Sequence, residues 1–137
     1  MNPVLKNVLA VVVGVIVGGV VNMGLVILGG SVIPLPDGIN PADMEALKAA
    51  IPNFGFKHFI FPFLGHAVGT LAGAYAAARL AGVRPLWLAL SIGFFFLIGG
   101  VKMAMDLPAP MAFEVFDVLL AYIPMGWLGW KLSGREG

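Results

Sequence analysis

Four polar side chains stand in stretches that are otherwise apolar: Asn22, His66, Lys102 and Asp117. Their chemistry is complementary. An amide both donates and accepts, an imidazole takes up and releases a proton near neutral pH, and a lysine and an aspartate neutralise each other. Ionisable groups inside apolar segments are costly and mark solute or proton pathways. Counted at about 1.5 Å per residue from the outer segment ends, Asn22 and His66 lie roughly 10 Å deep, Asp117 slightly less and Lys102 less again. Together they predict an outward-opening polar pocket. Each also has a structural reading. Lys102 can snorkel, pair with Asp106 four residues on, or form an ion pair with Asp117. Asn22 can bond a neighbouring helix, and Glu114 can reach the headgroups. His66 can donate to a carbonyl left free by Pro62, or to Thr70 one turn on.

Other chemistry is thinly represented. There is no H-E-x-x-H, no G-x-S-x-G around Ser31, Ser91 or Ser133, and no phosphate-binding glycine loop, so no catalytic set is assigned and the chain leans away from enzymes. The oxygen-rich run from Asp37-Gly38 through Asn40 to Asp43 lacks calcium-loop spacing, and no metal site is assigned. The glycines beside His66 leave room for a flat macrocycle, which makes a haem or chlorin at His66 a further option. His58 and His66 are the only histidines and share one segment, so a bis-histidine site needs a second subunit.

These residues must be positioned by membrane helices. Of 137 residues 60% are hydrophobic and 11% charged, against about a quarter charged in soluble domains. A net charge of +1 gives no field for nucleic acid, and without cysteine there are no disulfides or thiolate sites. A bilayer core about 30 Å thick needs about 20 apolar helical residues. Four segments qualify within a single membrane domain spanning 1–137: about 4–28, 58–80, 86–105 and 111–130. The first reads as an anchor, not a signal peptide, because it is long, weakly basic at its start and lacks an A-x-A site. The expected fold is all-α, a four-helix bundle of two antiparallel hairpins.

Lys6, Arg79, Arg84, Lys131 and Arg135 cluster at the termini and the second connection, which places both termini in the cytoplasm. The first outer connection, 31–57, predicts a short amphipathic helix across the bundle mouth. Asn40 would cap it, Pro41 would open it, and Met44, Leu47 and Ile51 would form its apolar stripe. Gly65, Gly69 and Gly73 recur at every fourth position, as do Ala10, Gly14 and Gly18. Lipid supplies little hydrophobic drive for helix association, so such faces serve close backbone packing. This glycine zipper would join spans one and two, or two subunits.

The stretches NPVLKNVLAVVVG, PDGIN, KHFIFPFLGHAVGTLAGA and AYIPMGWLGWKL resemble a family of small bacterial four-span membrane proteins, over nearly the whole chain. The resemblance implies four spans and a bacterial inner membrane, and it implies no activity. The leading expectation is a non-enzymatic component in contact with the lipid bilayer. It would be an oligomeric, self-assembling scaffold, or an accessory subunit of a larger membrane complex. The alternative is a small transporter or channel built around Asn22, His66, Lys102 and Asp117.

Overall fold

The structure, a computed structural model, describes residues 1–137 except the side chain of Asp37, so the first oxygen of the 37–43 run lies outside the described groups. The chain is all-helical, and four of its helical stretches are long and apolar enough to cross a membrane: Pro3–Val32, Phe56–Leu80, Pro85–Asp106 and Met111–Leu132. These are the marks of a membrane protein. The helices are α1 (Pro3–Val32), α2 (Met44–Ala50), α3 (Ile60–Leu80), α4 (Pro85–Asp106), α5 (Met111–Leu120) and α6 (Ile123–Leu132).

Local chemistry sets the ends. Asn2 caps α1 by accepting from the Val4 N–H at 2.8 Å, with Pro3 at the first helical position. Helix α1 stops at Ile33, ahead of Pro34, because a residue before proline is pushed out of the helical region. Its 30 residues span about 45 Å, more than the hydrocarbon thickness. In the 33–59 connection, α2 begins at Met44 with Asp43 as its cap, whose Oδ1 accepts from the Ala46 N–H at 3.2 Å. Asn40, expected in that role, accepts instead from the Ala42 N–H at 2.9 Å. The tight turn around Pro41 uses up the residues that would have formed the first helical turn.

Helix α3 is the hub: α1, α4 and α6 all pack on it, α6 also packs on α4, and α1 meets α4 only lightly. The core is built of small residues, with Ala74, Ala77, Ala78, Ala89 and Ile92 fully buried. Large side chains such as Val12, Ile16, Val20 and Ile27 face outward from α1. That arrangement suits a solvent of lipid. Gly14 and Gly18 of α1 meet Gly69 and Gly73 of α3 backbone to backbone. A methyl on Gly14 would lie 2.8 Å from the Gly73 carbonyl oxygen, and one on Gly69 2.8 Å from that of Gly18. Farther along, Gly65 faces Asn22. All five glycines therefore lie at a contact within one chain.

One end of the bundle gathers five of the eight basic residues, Lys6, Arg79, Arg84, Lys131 and Arg135. The Asn7 side chain accepts from the Gly82 and Val83 N–H groups at 2.8 and 3.2 Å, tying the start of α1 to the α3–α4 turn. Arg135 donates to the Arg79 and Ala81 carbonyls, both at 3.1 Å. The opposite, far end carries α2.

The fourth span is not one helix. It breaks at Ala121–Tyr122, where Tyr122 takes φ −119° and ψ −81°. Pro124 is the cause: it has no N–H to return to Leu120, and its ring clashes with that carbonyl.

The α1–α3 contact predicts a contrast between two glycines. Gly69→Leu drives a side chain into the Gly18 backbone and should lower the melting temperature sharply, since overpacking costs about 1–3 kcal/mol even where neighbours can yield. A methyl on Gly24 would meet nothing within 4 Å, so Gly24→Leu should melt like the parent. Equal melting temperatures for the two variants would contradict the packing.

Candidate functional site

The site starts from Asp117. Helix α5 is thinly packed on the rest of the bundle, and aromatic pairs seat it: Phe59 against Phe113 at 4.7 Å, and Phe63 against Phe116 at 4.9 Å between ring centroids. This seating turns Asp117 inward, where it is only 4% exposed. Its carboxylate faces His66 of α3, with His66 Nδ1 at 2.9 Å from Oδ1 and 3.0 Å from Oδ2. The Tyr122 hydroxyl donates to Oδ2 at 3.0 Å, and the His66 and Tyr122 rings stack at 5.9 Å.

The broken span makes the third contact possible. An unbroken helix would carry residues 117 and 122 apart around its circumference; the non-helical Tyr122 backbone returns the ring to its own Asp117. Helix α4 leaves the space. A methyl on Gly93 would sit 2.9 Å from the Tyr122 carbonyl oxygen, and one on Gly100 would fall onto the Tyr122 hydroxyl.

Asn22, His66 and Asp117 line a single cavity of about 410 Å³. It runs from this polar floor between α1, α4 and α5 toward the far end, past Val26, Phe61 and Leu107, to Leu47 and Ile51 in the 33–59 connection. Its walls are mostly apolar. Glu114, one turn before Asp117, also lines it. Lys102 does not join this group: its side chain is 75% exposed and pairs with Asp106 of its own helix. The expected Lys102–Asp117 ion pair is thus replaced by His66–Asp117. The i, i+4 partner was close at hand, and the rotation of α4 turns Lys102 away from α5. Nor does His66 bond Thr70, whose hydroxyl has no partner.

Tyr122 is the residue that sequence reasoning overlooks. The signal is there: tyrosine favours membrane interfaces, whereas this one stands mid-span in A-Y-I-P, just ahead of a helix-breaking proline. No group of three or more His, Cys, Asp or Glu that would hold a metal occurs among the described residues. With Nδ1 held by Asp117, His66 presents only Nε2 outward. The pair can therefore carry one exchangeable proton at neutral charge and release it to become an anion. Compared with family models, with curated proteins and with solved structures, the chain matches none.

The geometry ranks two variants. Tyr122→Phe removes a hydrogen bond to a buried carboxylate and should destabilise by about 1–2 kcal/mol. Lys102→Met removes an exposed pair and should leave unfolding unchanged. Equilibrium unfolding of the two in bicelles checks the order; a larger loss from Lys102→Met would contradict it.

Proposed function

We propose that this protein is a small membrane transporter that admits an apolar organic molecule from the far end of the bundle to the polar floor at His66 and Asp117. The observation that carries the reading is the cavity of about 410 Å³ whose inner end is a buried carboxylate bonded to an imidazole. Its volume lies within the range of small-molecule sites, about 300–1,000 Å³, and so does its make-up of apolar walls with a few convergent polar groups. The interrupted fourth span beside that floor supports it further, because broken helices at mid-membrane accompany substrate sites in transporters.

In this reading the chain lies in a bacterial inner membrane as two antiparallel hairpins. Basic residues hold the termini in the cytoplasm, and the far end faces outward. Helix α2 is then the amphipathic element at the mouth, with Leu47 turned to the cavity. The glycine zipper of α1 and α3 acts as rigid framework.

A second reading is a self-assembling scaffold or an accessory subunit of a larger complex. In its favour, α1 packs chiefly on α3, which leaves much of its apolar circumference free for another chain as well as for lipid.

The two readings separate on one substitution. Gly30 lines the cavity, and a methyl there would meet nothing within 4 Å. Gly30→Trp therefore places an indole at the cavity wall with little strain on the bundle. The transporter reading expects the parent, released from nanodiscs into a mass spectrometer, to retain a small molecule that Gly30→Trp lacks. It also expects that compound to cross liposomes faster with the parent than with the variant. A parent that carries only protein partners, and whose cellular phenotype survives Gly30→Trp, would favour the scaffold. An impermeant reagent that fails to label Asn53→Cys on intact cells would reverse the orientation.

A further inference from the structure

A second, smaller cavity of about 230 Å³ adjoins the first, sharing Asn22, His66, Gly100 and Met103 with it. Four polar side chains line this chamber: Asn22 of α1, His66 and Thr70 of α3, and Tyr122. Thr70 is 1% exposed, and its hydroxyl has no partner. A helical threonine can bond the carbonyl four residues back, yet this hydroxyl does not. The Asn22 side-chain oxygen is buried and unpartnered in the same way. The third group is His66, whose Nδ1 is taken by Asp117. Buried polar atoms without partners are rare, and ordered water is their usual complement. The chamber has room for several waters of ~30 Å³ each. Toward the basic end it is closed by the Gly14–Gly73 contact and the alanine core.

We propose that this chamber is a hydrated proton-binding site, reached by water only from the outer cavity, in which His66 and Asp117 take up and release one proton. The inference rests on the transporter reading and adds the ion to which such transport would be coupled. Hydronium in the chamber gives its proton to the Nε2 lone pair and leaves as water. The imidazole becomes an imidazolium held against the Asp117 carboxylate, and the pair passes from a charge of −1 to neutral. Other titratable groups nearby are Tyr122, bonded to the same carboxylate and lining the chamber, and Lys57, His58 and Glu114 on the outer-cavity wall. Helices α1 and α4 present no charged side chain to the chamber among the described residues.

Because the chain has no cysteine, single cysteines report hydration without background. In nanodiscs, a small cationic methanethiosulfonate should modify Thr70→Cys within about tenfold of the rate at Val26→Cys in the outer cavity, and Ala74→Cys, one turn on in the alanine core, at least about a thousandfold more slowly. With only two histidines, nitrogen-15 histidine spectra of the parent assign readily, using His58→Gln. His66 should show the Nδ1–H tautomer at high pH and gain a proton at Nε2 reversibly on acidification. Asp117→Asn should abolish the tautomer preference. An unreactive Thr70→Cys beside a reactive Val26→Cys overturns the hydrated chamber and leaves the outer cavity standing. If neither reacts, both readings fall. A reactive Thr70→Cys with His66 nitrogens that do not titrate between about pH 4 and 9 overturns the proton site.

Discussion

A carboxylate buried among apolar helices must find partners or lose its charge, and this requirement at Asp117 organises the fold around it. An aspartate at the centre of a membrane helix costs about 2.5–3.5 kcal/mol. Hydrogen bonds to a charged group return about 1.5–3 kcal/mol each. Two of them, from His66 and Tyr122, are therefore enough to offset the burial, and one is marginal. The interruption at Ala121–Tyr122 supplies the second. The glycines of α4 that accept the interrupted backbone, and the phenylalanine pairs that seat α5, serve the same end.

The packing of α1 on α3 answers a different constraint. Lipid gives these helices no hydrophobic reason to associate, so their contact relies on backbone approach through Gly14, Gly18, Gly69 and Gly73. That approach brings Asn22 against Gly65 and to the edge of both cavities. Helix α1 touches α4 only lightly, and the space left between them toward the far end is the larger cavity. Tight contact on one side of α1 and a gap on the other thus come from the same arrangement.

The four apolar stretches are legible in the sequence because length and composition alone decide them, and the structure extends each by only a few residues. What is not legible is helix rotation. A span that is apolar on every face carries no periodic signal for which side meets protein, so the sequence offers Asp117 Lys102 as a partner when His66 is the one turned toward it. Tyr122 escapes notice for a related reason: the span reads as continuous, and only the effect of Pro124 on its backbone brings the hydroxyl to Asp117. At α2, Asn40 and Asp43 are both good caps, and the turn at Pro41 decides between them.

Both cavities owe their polar floor to a direct interaction of His66 with Asp117 within the folded bundle. A double-mutant cycle with His66→Leu, Asp117→Leu and the pair, measured by steric-trap unfolding in bicelles, tests this. A direct bond predicts a coupling free energy of about 1–3 kcal/mol, with the double variant less destabilised than the sum of the two singles. Losses that add within about 0.5 kcal/mol would show that the two side chains do not meet, and the site would have no floor.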